Sequence, residues 1–199
     1  PYLKRKLNPT SYQGARNRRQ HFEGWYVKLI DQTEQAALAI IPGVFLSPKD
    51  QNSHAFIQIF DGQSNETHYQ RFLMSDFRAI DYQFDVQIGD NHFSANKIII
   101  NLNVDKLQIQ GEIEFHDMTP WPKTLLSPGI MGWYSWVPLM ECYHGVVSLD
   151  HELHGSLTIN GRKMDFSGGR GYIEKDWGHS FPDAWVWCQS NHFDTSQTS

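Results

Sequence analysis

The stretch GGRGYIEKDWGHSFPDAWVWCQSNHF, residues 168–193, concentrates acids, amides and tryptophans at strand-like spacing. Successive side chains of a strand point to opposite faces. Over GYIEKDWG, residues 171–178, that rule puts Tyr172, Glu174 and Asp176 on one face and Ile173, Lys175 and Trp177 on the other. Over AWVWCQSNHF, residues 184–193, Trp185, Trp187, Gln189, Asn191 and Phe193 share a face. A plain core face would carry Val, Ile and Leu. Broad indole surface interspersed with amides suits a pocket wall that binds an apolar ligand and orients it by a few hydrogen bonds. Near the start, EGWYVK places Glu23, Trp25 and Val27 on one face by the same rule. The acids also have a plainer reading, as partners of Arg170, Lys175 or Lys28. Glu23, beside Gly24, suits accepting backbone N–H groups at a strand start, and the tryptophans suit a core as well as a pocket.

Other constellations carry less. In ECYHG, Glu141 and His144 fall on opposite strand faces, so they serve one site only if a bulge intervenes; His144 reads as a core histidine. DHELHG sets His151 and His154 around Glu152 without the HExxH pattern, and Asp150 with Gly155 suggests an exposed hairpin, so no metal is expected. SGGRG lacks the Lys-Ser/Thr of a phosphate loop; its glycines suit bulges or close strand approach. There is no GxSxG, and neither Cys142 nor Cys188 neighbours an activating base, which leaves nucleophilic hydrolysis without support.

The elements that must position these residues are strands. HAFIQIF, THYQRFL, YQFDVQI, KIIINLNV, KLQIQGEIEF, GSLTIN and KMDFSG are short, rich in branched or aromatic residues, and often alternate. Asp61-Gly62, Gly89-Asp90-Asn91 and Asn160-Gly161 supply turns, the last being a strong two-residue hairpin signal. Strands at such spacing predict an antiparallel barrel or strongly curved sheet with helix below about 15%, against ~30–35% in ordinary domains. The segment from Thr119 to Pro138 breaks the pattern with four prolines and three tryptophans and reads as a long excursion with one helical turn.

FEGWYVK, PLMECYHGVVSLDHELHGSLTING and GGRGYIEKDWGHSFPDAWVWCQSNHF together resemble the tocopherol cyclase-like family, part of a lipocalin-like group that includes hydroxyneurosporene synthase-type carotenoid hydratases. The resemblance spans most of residues 21–193. It implies an all-β, lipocalin-like antiparallel barrel with a Pro/Trp-rich long loop. Residues 1–20 form a basic arm, 21–183 the β-domain, and 184–199 a last strand or the start of a second β-domain truncated here. It implies cofactor-independent, acid-catalysed cyclisation or hydration of a prenylated quinol or polyene lipid in an apolar barrel; a non-catalytic binder of such ligands is the alternative. Protonating an alkene needs a carboxylic acid kept neutral by apolar surroundings and aromatic faces to stabilise a tertiary cation. Glu174, Asp176 and Glu23 are candidate donors and Tyr172 a candidate orienting group. Trp25, Trp177, Trp185, Trp187, Gln189 and Asn191 are candidate ligand contacts.

Composition bounds these readings. In 199 residues, 40% hydrophobic and 20% charged content supports a core and argues against disorder. No apolar run reaches membrane-span length and no signal-peptide h-region opens the chain. Starting at Pro1, it reads as a segment of a longer protein. The net charge of −5 is uneven: Lys4, Arg5, Lys6, Arg16, Arg18 and Arg19 give +6 before His21, leaving −11 for the rest. The arm suits either a solvated tail or peripheral contact with anionic lipid; no nucleic-acid partner is expected. Two cysteines without CxxC spacing suit a reducing, cytoplasmic setting. A third class, an interaction module docking a partner through the Trp-rich excursion, would require an exposed apolar patch.

Overall fold

Along β1 (His21–Ile30) every second residue is buried: His21, Glu23, Trp25, Val27 and Leu29 point one way, and the intervening residues are half-exposed. That alternation makes a strand with one face on a core. The computed structural model describes residues 8–14, 20–47, 52–104, 106–124, 126–138, 140–181, 183–184 and 186–191. The cations of the basic arm, Lys4, Arg5, Lys6, Arg16, Arg18 and Arg19, lie outside the described residues.

The strands that follow are β2 (Ala37–Leu46), β3 (His54–Asp61), β4 (Thr67–Phe72), β5 (Phe77–Ala79), β6 (Asp85–Ile88) and β7 (Asn91–Ser94). They continue as β8 (Lys97–Val104), β9 (Leu107–Thr119), β10 (Cys142–Ile159), β11 (Arg162–Asp165) and β12 (Arg170–Gly178). Together they make one sheet in the order β4-β3-β2-β1-β12-β10-β9-β8-β7-β6-β5, with β11 alongside β10. Neighbouring strands pair antiparallel, and the sheet curls into a nearly closed barrel in which β3 comes against β6 and β4 against β8. Strand makes up 57% and helix 5%, within the low helix content that the turn and strand spacing predicts.

Inward side chains fill the barrel. Trp25, Phe84, Phe93, Phe166 and the isoleucines Ile40, Ile57, Ile88, Ile98 and Ile100 are almost fully buried, and Trp25 stacks on Phe84 with ring centroids 5.4 Å apart. Each such side chain contributes on the order of 1.5–3 kcal/mol by leaving water. Asn160 and Gly161 both have positive φ, +49° and +80°, and close the β10–β11 hairpin as the sequence predicts. The SGGRG glycines serve close approach: a Cβ on Gly171 would sit 2.1 Å from His151 Nε2.

Two features differ from the sequence reading. β2 is a full strand despite Pro42, whose missing N–H opens a gap in the β1–β2 ladder opposite Trp25 and Tyr26. Asp150 and Gly155 do not bound a hairpin. They lie within the 18-residue β10, which continues because His151 and Leu153 bury inward and bulges beside Ser148 absorb the register change.

Candidate active site

β12 lies between β1 and β10, and its register decides which residues meet. Lys28 pairs with Tyr172, Tyr26 with Glu174 and Gly24 with Asp176 on one side; His144 pairs with Asp176 and Val146 with Glu174 on the other. Directly opposed residues share a sheet face. Tyr172, Glu174 and Asp176 therefore stand on the barrel's outer face with Tyr26, Lys28 and His144. Ile173, Lys175 and Trp177 point inward with Val27, Trp25 and Glu23. The expected set of site residues is split by the sheet.

On the outer face, Glu174 is the centre. It is 4% exposed. Its Oε2 accepts hydrogen bonds from the Tyr172 hydroxyl at 2.5 Å and the Trp187 indole N–H at 3.0 Å, with His144 Nε2 at 3.5 Å. His144 Nδ1 lies 2.8 Å from Asp176 Oδ1, so one imidazole bridges both carboxylates. Burial pushes the Glu174 carboxyl above its ordinary range, more than the Tyr172, His144 and Trp187 contacts pull it down. Burial opposes a charge on His144, but the Asp176 hydrogen bond and the two carboxylate charges outweigh it and raise its pKa. Tyr26 is pushed to about 12, first by burial and then by the Glu174 charge. Burial lowers Lys28, with Glu174 pulling the other way.

Residues 183–184 and 186–191 lie outside the sheet, so they do not form the strand read over 184–193. Their alternation survives: Val186 is 95% exposed, whereas Trp187, Gln189 and Asn191 turn to the sheet. The Trp187 ring meets Tyr26 edge-on at 5.3 Å. Lys28 Nζ donates to Gln189 Oε1, and Asn191 Nδ2 donates to Asp150 Oδ1 at 2.8 Å and Gly171 O at 2.9 Å. The segment thus roofs the acid cluster. Trp185 and Phe193 lie outside the described residues.

The inner set is different. Glu23 is fully buried, ion-paired to Lys175 Nζ at 2.5 Å and to His21 Nε2 at 3.0 Å, and accepts the N–H groups of Gln13 and Gly14. Lys175 also donates to Ser11 O and sits 4.8 Å above both Trp25 and Trp177. Burial alone would raise Glu23, but the Lys175 charge and the His21 contact hold it below its ordinary value. Trp25 and Trp177 are core groups around this pair, on the face away from Glu174. The neighbours Arg170 and Lys175 partner other acids, Asp150 and Glu23.

The residue that sequence reasoning missed is His144, which is half-buried on the outer face rather than in the core. The signal was the odd-numbered spacing from Glu141, which argues equally that His144 faces away from Glu141 and toward something else. His144, Glu174 and Asp176 also bring one ligand atom each within 4.8 Å, a spacing within reach of a metal ion. The contacts already made, one imidazole serving two carboxylates, suit a shared proton. Of DHELHG, His151 is buried inside and His154 pairs with Glu152 on the surface at 2.9 Å.

The fold and cluster define an antiparallel β-barrel protein with a partly roofed acid–histidine site on its outer wall. Residues 103–199, just under half of the chain, match the family described as tocopherol cyclase-like. His144, Tyr172, Glu174, Asp176 and Trp187 all lie within the matched region. The chain is 31% identical over 62 residues to chloroplastic tocopherol cyclase of Zea mays, a match covering 31% of this chain and 13% of that protein. Among solved structures, a protein assigned as AttH from Nitrosomonas europaea is 11% identical with a TM-score of 0.47, covering 83% of this chain and 53% of that one. Kievitone hydratase of Nectria haematococca is 15% identical with a TM-score of 0.44, covering 86% of this chain and 52% of that one. The chain spans about half the length of these two structures. No described helix is long and apolar enough to cross a membrane.

Proposed function

We propose that the outer-face cluster protonates an alkene carbon of a prenylated quinol or polyene lipid, so that a hydroxyl or water adds to the resulting cation. The observation that carries this reading is Glu174: a carboxyl group raised by burial, hydrogen-bonded by Tyr172 and Trp187, and joined through His144 to a second acid. The Glu174 carboxyl carries the proton. Glu174 gives that proton to carbon, a tertiary cation forms, and the attacking oxygen bonds to it. The oxygen's proton passes to Asp176 and His144, and His144 Nε2 returns it to Glu174. Atoms and charge balance without an oxidant or a cofactor. Tyr172 and Trp187 orient the acid, and the Tyr26 ring meets Trp187 edge-on. Glu23 stays outside this chemistry, because an ionised, ion-paired carboxylate has no proton to give.

Glu174→Gln keeps the shape and removes the acid. Ring closure or hydration of prenylated quinols and polyenes, followed by mass spectrometry, should fall by about 10²–10⁴ in rate. Asp176→Asn should reduce it less, since it removes the relay and not the donor. Unchanged turnover in Glu174→Gln would end the assignment. Binding without turnover in the parent would favour the non-catalytic lipid binder.

A further inference from the structure

Residues 120–140, the excursion between β9 and β10, contain no acid and a single cation, Lys123, in a chain whose net charge is −5. A short helical turn, Gly132–Trp136, lies within it. Bonds on both sides of that turn hold it to β10: Met131 Sδ accepts the His144 N–H at 3.1 Å, and Val137 O accepts the Tyr143 hydroxyl at 2.9 Å. The gap left between excursion and strand is about 20 Å³, room for one water, and Trp133, Tyr134 and Trp136 do not line it. These three rings face outward instead, 60%, 50% and 43% exposed. In a 3₁₀ turn, side chains three residues apart eclipse, which sets Trp133 and Trp136 on one side. Tyr134 stacks on Trp133 with ring centroids 4.0 Å apart. Neither the barrel core nor the proton chemistry uses this aromatic group.

We infer that the excursion docks on an anionic lipid surface, with the Trp133, Tyr134 and Trp136 rings in the headgroup region. Indole and phenol rings have an apolar body and a polar tip, and such side chains settle at the boundary between bilayer and water. Charge points the same way. An excursion without acids meets no repulsion from anionic headgroups, and Lys123 is attracted to them. Pro9 borders Trp121 and Met131 of the excursion. In the sequence Lys4, Arg5 and Lys6 precede Pro9 by at most five residues, so the covalent chain keeps these cations within about 18 Å of it. The docking does not depend on the proposed reaction. Where that reaction holds, docking brings a membrane-held substrate to the strand that carries His144.

Flotation with vesicles of phosphatidylcholine and phosphatidylserine, mixed at about 3:1, tests this with the parent and two double variants. Trp133→Ser/Trp136→Ser removes both indoles. Leu73→Ser/Ile80→Ser removes two apolar side chains, 72% and 51% exposed, from a different part of the sheet and serves as the control. Near-ultraviolet dichroism checks that each variant is folded. The parent should float with the vesicles, the tryptophan variant should bind about tenfold or more weakly, and the control should stay within about twofold of the parent. A parent that does not float, or a folded tryptophan variant that floats like the parent, overturns the inference. So does a control that loses as much as the tryptophan variant. A parent that ignores vesicles and sediments as a dimer, dispersed by the tryptophan variant, would assign the rings to a second copy of this chain instead. Should the double variant fail to fold, Trp133→Ser alone gives the same test with a smaller change. Vesicle binding is read without turnover, so its failure is distinct from failure of the reaction tested by Glu174→Gln.

Discussion

Glu23 and Glu174 sit on adjacent strands, both buried among aromatic side chains, yet the sheet between them gives them opposite chemistry. On the inner face, Glu23 has a lysine at 2.5 Å, a histidine and two backbone N–H groups, and its charge is fixed. On the outer face, Glu174 has a phenol, an indole and a histidine shared with Asp176; none is a permanent cation beside it. Desolvation is the largest influence on both carboxyls, and the partner decides which way it resolves. A buried acid with a lysine is a structural tie. A buried acid whose direct contacts are a phenol, an indole and a shared imidazole is pushed the other way, toward its neutral form.

The comparison breaks first on stability. Glu23→Gln leaves Lys175 buried without its carboxylate, and losing one partner of a buried pair typically costs about 3–5 kcal/mol. Glu174→Gln should cost within about 1 kcal/mol, since the amide oxygen still accepts from Tyr172 and Trp187. Urea midpoints of the two variants should therefore differ widely, and equal midpoints would dissolve the contrast.

A second, smaller effect sharpens it through pH. His151 is another inward group: it is fully buried against Phe115, and burial pushes its pKa down to about 4. Its folded pKa lies below the ordinary 6.5, so the neutral ring favours the fold above that value. This stability is lost as pH falls from 6.5 toward 4 and amounts to about 3 kcal/mol in all. Thermal midpoints at pH 7.5 and 4.5 should converge in His151→Gln relative to the parent. An unaltered acid dependence would assign the loss to other groups.

Much of this arrangement was legible in the residues. KIIINLNV is β8 over its whole length, Asn160-Gly161 is the β10–β11 turn, and the period-two grouping of Tyr172 with Glu174 and Asp176 holds. So does the alternation of Trp187, Gln189 and Asn191, even without a strand. Which face is inner was not legible, because β12 is buried on both: Ile173 and Lys175 against the core, Tyr172 and Glu174 beneath the 186–191 segment. Local alternation therefore grouped Trp25 and Trp177 with acids that lie across the sheet. His144 read as a core histidine because only the β10–β12 register, a contact 32 residues apart in sequence, brings it to Asp176. β2 was not among the stretches read as strands; it carries Pro42, a residue that ordinarily argues against a central strand.

The central claim is that the outer carboxyl, Glu174, holds its proton where an ordinary one has lost it. Infrared difference spectra of the parent against Glu174→Gln, titrated from about pH 3 to pH 8, isolate the protonated-carboxyl band of that one residue. The account predicts a band that disappears with a midpoint above the ordinary 4.5. A midpoint at or below that value, with Glu174 ionised through the neutral range, would contradict it.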